Sequence, residues 1–184
     1  MEKKAVKILG CAALLIIAAC GQTSQKEAVT ETPEDWKTLD ESGYFIQYPD
    51  TFEMDKSGQL GMSFILMSKQ ISQDDLFREN VNLLIQNLAG LNIDLDKFVE
   101  ISEDQIKTMV TDGNLIESKR LNENNKEFQR LVYTGRQGQY YLKWQQFYLV
   151  ENNRAYILTL TCEEDQYDKY LPVATEIMNT FTIK

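Results

Sequence analysis

Histidine is absent from all 184 residues. With it go Ser-His-Asp and Cys-His catalysis, most zinc sites and any charge switch near neutral pH. Positive charge is scarce as well: 19 Lys and Arg stand against 28 Asp and Glu, a formal net charge of −9. Nucleic-acid binding draws on clustered Lys and Arg to displace counterions, so no nucleic acid is expected as a partner. The same balance disfavours docking flat on anionic lipid, and its plain consequence is solubility. No glycine-rich phosphate loop occurs, and no Ser-x-x-Lys lies in a supporting context. Gly135-Arg136-Gln137-Gly138 reads as a hairpin turn.

The one long apolar run is short by membrane standards. Residues 8–19 (ILGCAALLIIAA) follow a basic opening with Lys3, Lys4 and Lys7. A spanning helix needs about 20 apolar residues, whereas a basic n-region and a run of this size make a secretion signal. Ile17-Ala18-Ala19-Cys20 resembles the lipobox of bacterial lipoproteins. The expected cut falls between Ala19 and Cys20, and the Cys20 thiol is the expected site of lipidation. Cys11 comes too early to leave a usable apolar run. With two or more acyl chains such an anchor is stable, so the membrane is the first expected partner. Gly21, in place of the Asp that retains enterobacterial lipoproteins in the inner membrane, is compatible with the periplasmic face of the outer membrane. An acylated Cys20 leaves only Cys162 in the mature chain, which excludes a disulfide scaffold.

Residues 20–35 are polar and read as a tether. A single domain is expected over 36–184, a size that supports an adequate core. Short strands are expected at Trp36–Leu39 and Tyr44–Tyr48 around the Asp40–Gly43 turn, and a buried strand at Gly61–Ser68. Residues 70–78 suggest a helical turn. Val81, Leu83 and Ile85 alternate with polar neighbours and favour a strand. Leu95, Phe98, Val99, Ile106, Met109 and Val110 recur at helical steps over about 95–111, with Asp94 or Asn92 as N-cap. Strands near 114–121, 127–134, 139–150 and 154–162 suit an antiparallel meander. A last helix carries Tyr170, Ala174, Ile177 and Phe181. Pro172 belongs in a first turn, so this helix is expected to start near residue 170. The class is α+β, an antiparallel sheet flanked by helices.

Several segments carry a resemblance. Trp36 with Phe45-Ile46-Gln47-Tyr48-Pro49 resembles the opening F-x-I-x-Y-P strand of the PsbP-like superfamily, which includes DcrB-type bacterial lipoproteins. Val81–Ile85 is similar to its next long strand. Tyr156-Ile157-Leu158-Thr159-Leu160-Thr161 resembles its Y-x-L-T-x-T strand, and Ile177-Met178-Asn179-Thr180-Phe181 its closing I-x-x-S-F, with Thr180 for serine. The resemblance spans 36–183 and implies a PsbP-like α/β/α sandwich. It implies accessory proteins that bind or stabilise larger assemblies, and it carries no catalytic site.

The residues offer few chemical constellations. Asp94, Asp96, Glu100, Glu103 and Asp104 lack the glycine-bearing loop of a calcium site and read as acids favoured near a helix N-terminus. Glu163, Glu164, Asp165 and Asp168 read the same way, with a cation-binding rim as the alternative. Cys162 reads as a small buried hydrophobe. No catalytic residue, metal or cofactor is expected. Tyr140, Trp144 and Tyr148 share one face of an aromatic strand and are the candidate ligand or partner surface, although aromatics on both faces first suggest a central buried strand. The expectation is a non-enzymatic, membrane-anchored envelope lipoprotein that binds another envelope protein. The alternative is a small-ligand or cation-binding pocket beside strand 140–148. An enzyme using carboxylates alone would need two acids close together in a cleft.

Overall fold

The computed structural model describes residues 35–70, 72–73, 75–123 and 126–184. The expected signal, the Ala19–Cys20 cut and almost all of the tether lie outside the described residues. No helix among those described is long and apolar enough to cross a membrane.

Ten strands and two helices follow one another: β1 (Lys37–Asp40), β2 (Tyr44–Tyr48), β3 (Phe52–Asp55), β4 (Met62–Ser68), β5 (Asn80–Asn87), α1 (Leu95–Met109), β6 (Thr111–Glu123), β7 (Lys126–Gln137), β8 (Tyr140–Glu151), β9 (Arg154–Glu163), α2 (Tyr167–Thr180) and β10 (Thr182–Ile183). A seven-stranded antiparallel sheet runs β3-β4-β5-β9-β8-β7-β6, and a separate three-stranded sheet runs β1-β2-β10. The first two strands, expected in the main sheet, pair with each other instead, and β2 also pairs with the end of the chain: Phe45 lies opposite Thr182 and Tyr44 opposite Ile183.

Alternation sorts the main sheet's side chains onto two faces. Phe64, Leu66, Val81, Leu83, Phe147, Leu158 and Leu160 face a core completed by Ile46, Ala174, Ile177 and Phe181. Leu131, Tyr133, Leu142, Trp144, Tyr148, Ala155 and Ile157 face the other, where Phe98, Val99 and Ile106 of α1 meet them. Two core layers around one sheet make the α/β/α arrangement.

Local chemistry explains the element ends. The Asp94 carboxylate accepts the Lys97 N–H at 2.8 Å and caps α1. Gly113 and Gly135 let the end of α1 approach the sheet closely. A β-carbon on Gly113 would lie 2.4 Å from the Ile106 carbonyl oxygen, and one on Gly135 2.4 Å from a Val110 methyl. Thr180 ties α2 to β2: its hydroxyl accepts the Gln47 N–H at 2.8 Å and donates to the Ile177 carbonyl at 2.7 Å. The segments most like the opening and closing PsbP motifs are joined by that side chain.

Three expectations are corrected. The helix α2 starts at Tyr167, and Pro172 lies inside it. Pro172 is on the exposed side, so the Asp168 carbonyl it leaves unpaired is also on the exposed side, where water can take up the bond. Residues 75–79 form no helical turn. Arg78 holds them extended against β4 through the Ser68 carbonyl at 2.6 Å and reaches Glu53 at 2.7 Å. Phe52–Asp55, unassigned by periodicity, is an edge strand paired with Ile65–Ser68.

Candidate functional site

The aromatic strand is central, as its composition suggested: β8 pairs with β7 on one side and β9 on the other. The face that looks toward α1 carries Tyr140, Trp144 and Tyr148. Trp144 is buried and stacks on Tyr133, with ring centroids 4.9 Å apart. Tyr148 is buried against Phe98 of α1 at 5.6 Å. Tyr140 packs on Phe77 at 5.1 Å. The three therefore lie in a row on one face but in different surroundings. Half-buried Tyr140 borders a recess with Tyr141, Glu163, Glu164 and Asp165, and Tyr148 borders open space of its own beside α1.

That space is a groove of about 380 Å³ between α1 and the sheet. Leu84 of β5, Ile157 of β9 and Tyr148 of β8 form part of its floor, and Phe98, Ile101, Ile106 and Met109 of α1 form one wall. Polar groups converge on it as well: Gln86, Gln105, Gln146, Ser102 and Tyr133. The deeper ones are engaged. Tyr148 donates its hydroxyl hydrogen to the Gln146 side-chain carbonyl, and the Gln146 amide donates to the Thr159 hydroxyl at 3.0 Å. Ser102 donates to the Phe98 carbonyl at 2.8 Å. Gln86 and Gln105 are exposed on opposite rims. None of the described lining residues carries a formal charge. Burial raises the pKa of both Tyr133 and Tyr148 well above that of a free phenol, with the neighbouring Tyr148 adding to the effect on Tyr133. Both rings are neutral over the physiological range.

The groove exists because α1 is narrower than the sheet. Seven strands span about 30 Å at ordinary strand spacing, and a helix with its side chains covers about 10–12 Å. α1 lies over β6, β7 and β8. On the corresponding face of β4, β5 and β9, Asn82, Ile157, Thr159 and Thr161 are buried while Ile65, Met67 and Leu84 are half-buried.

The other candidates resolve into structure. Asp94 caps α1, Asp96 pairs with Arg120, and Glu100 pairs with Lys97 at 2.8 Å. Glu163, Glu164 and Asp165 precede α2, and Asp168 sits in its first turn. Burial, reinforced by Asp165, Glu79 and Asp75, raises the pKa of Glu163. Among the described residues no group of three His, Cys, Asp or Glu is arranged to hold a metal ion. Cys162 is wholly buried, and burial with nearby Glu79 pushes its thiol up to about 12. Sequence reasoning did not find Gln86, Gln105 or Ile101. Their role follows from where α1 stops covering the sheet, which no local pattern encodes.

No family model matches the sequence, and no curated protein matches it. Solved structures do. The chain is similar to cyanobacterial PsbP (CyanoP) from Synechocystis, at 15% identity and a TM-score of 0.59, over 84% of this chain and 96% of that one. LpqN of Mycobacterium tuberculosis, involved in cell envelope biogenesis, matches at 12% identity and a TM-score of 0.59, over 81% and 90%. PA94 of Pseudomonas aeruginosa, a protein of unknown function and putative regulator, matches at 11% identity and a TM-score of 0.57, over 79% and 94%. The chain has the PsbP-like fold. None of these three neighbours is described as an enzyme. At such identities the likeness is one of fold, and function rests on the site.

Proposed function

We propose that this chain is an envelope lipoprotein, anchored through Cys20, whose PsbP-like domain binds another envelope protein and catalyses no reaction. The observation that carries the reading is the groove beside α1, an uncharged recess of mixed apolar and amide lining on a protein of net charge −9. The cores of protein interfaces are likewise depleted of charge and rich in aromatic residues and Met. The fold is shared with an envelope-biogenesis protein, which supports an extracytoplasmic setting, here the periplasmic face of the outer membrane.

In-cell crosslinking of the tethered full-length chain, with mass spectrometry of the products, tests this. One dominant, near-stoichiometric envelope partner is expected, and its yield falls when Ile101→Asp places a charge in the groove wall. The absence of any reproducible partner across crosslinker lengths would count against the reading.

A second reading places a small uncharged ligand in the same groove, favoured by the converging amides of Gln86, Gln105 and Gln146. It predicts that a small molecule copurifies with the protein and that its removal lowers the Tm.

A further inference from the structure

The protein does not itself satisfy every polar group that lines the groove beside α1. Tyr148 donates to Gln146, Gln146 to Thr159 and Ser102 to Phe98. Tyr133 is the exception. Its ring stacks on Trp144 and the residue is only 8% exposed, yet among the described residues nothing hydrogen-bonds to its hydroxyl. No side-chain nitrogen or oxygen among those residues is both sealed from solvent and unbonded. The Tyr133 hydroxyl is therefore reached from outside, and the space it lines is the groove. A polar group held this deep without a partner is costly, and native proteins seldom keep one. One water would supply a partner but would not fill the space: the groove measures about 380 Å³, against roughly 30 Å³ for a water, and small-molecule sites begin at about 300 Å³. The lining narrows the choice of occupant. It carries no charge, so a carboxylate, phosphate or ammonium would enter without a counter-charge. A pure hydrocarbon would suit Ile106, Val110 and Ile157 but would leave the Tyr133 hydroxyl unpaired.

We infer that the groove takes a small neutral molecule with an apolar body and a hydroxyl or carbonyl group, and that this group bonds to the Tyr133 hydroxyl. The inference rests on the small-ligand reading above and names the chemical class and the residue that selects it. Burial keeps the Tyr133 phenol protonated, so it donates to a carbonyl oxygen and either donates to or accepts from a hydroxyl. The exposed amides of Gln86 and Gln105 offer the same two-way bonding at the rims.

The test uses the full-length chain with labelled isoleucine methyls and three probes of one shape: cyclohexanol, cyclohexanecarboxylate and cyclohexylammonium, each with its free concentration measured. The NMR signals of Ile106 and Ile157 report the groove, and Ile46, buried in the core on the other side of the sheet, is the control. The expected result is a saturable shift of Ile106 and Ile157 with cyclohexanol, no shift of Ile46, and an affinity about tenfold or more lower for both charged probes. Tyr133→Phe should weaken cyclohexanol binding about three- to tenfold. Since the hydroxyl has no partner among the described residues, the same substitution should leave the Tm unchanged, which separates lost binding from lost folding. A cyclohexanol affinity that Tyr133→Phe does not alter would overturn the hydroxyl contact while sparing the small-ligand reading. A clearly lower Tm for Tyr133→Phe would mean that the hydroxyl is bonded within the protein and would overturn the contact as well. Equal affinity for a charged probe would overturn the neutral class. No saturable shift at Ile106 or Ile157 with any probe would overturn both the inference and the reading beneath it.

Discussion

At the residue scale a few side chains sit in environments that set them apart from their surface counterparts. Cys162 is the plainest. Its thiol is buried and raised to about 12, so it is a packing group and not a nucleophile. A maleimide reagent is expected to leave Cys162 unlabelled in native protein and to label it after denaturation; native labelling would contradict the burial. The same shift sets a pH dependence. The folded-state pKa lies above the ordinary value of 9.0, so its contribution to stability is complete below about pH 9 and is lost as pH rises toward 12. Tyr133 and Tyr148, also raised, act in the same direction from the ordinary phenol value of 10.0 upward. Urea unfolding at a series of pH values should therefore show stability falling above pH 9. Thr180 offers a sharper comparison. Thr180→Ser keeps the hydroxyl that joins Gln47 to α2, whereas Thr180→Val leaves the Gln47 N–H without it. The valine variant should lose about 1–3 kcal/mol and the serine variant much less, as measured by the urea midpoint.

At the element scale, sequence pattern accounted for those elements whose partners are close in the chain. The helix read over about 95–111, capped by Asp94 of the two candidates Asp94 and Asn92, and the strands around residues 126–163 follow from periodicity and turn chemistry, because each strand there pairs with a sequence neighbour. The small sheet did not emerge, since β2 pairs with β10 across most of the chain. The stretch before β5 was misread as helical because its extended form is held by Arg78 reaching Ser68 and Glu53. α2 begins earlier than Pro172 suggested, because an exposed carbonyl can forgo its helical bond. The candidate site was half readable. The aromatic strand and its facing residues came from alternation, but the groove arises from the width of α1 against that of the sheet. The seating of α1 can be tested directly. Gly113→Ala would press a β-carbon on the Ile106 carbonyl, which a backbone group cannot escape by a rotamer change. It should cost about 1–3 kcal/mol. Asp94→Ala should cost about 1 kcal/mol through the lost cap, and both are readable as Tm shifts. A Gly113→Ala protein as stable as the parent would mean that α1 sits less closely on the sheet than described.

At the scale of the whole molecule, the described domain is a PsbP-like sandwich with one face closed and the other partly open. The chain before it ends its apolar run in a lipobox-like Cys20, and a polar segment separates that cysteine from β1. The fold supplies a rigid floor, α1 supplies one wall, and the proposed anchor holds both at a membrane, where a tethered binder meets an envelope partner at high effective concentration. On the proposed reading the domain works as an anchored body. Metabolic labelling with a tagged fatty acid, followed by membrane fractionation of the parent and of Cys20→Ala, tests it most directly. The parent is expected to be lipid-labelled and to sediment with membranes, and Cys20→Ala to be unlabelled and recovered in the soluble fraction. A Cys20→Ala protein that still fractionates with membranes, or a parent that takes up no lipid, would contradict it.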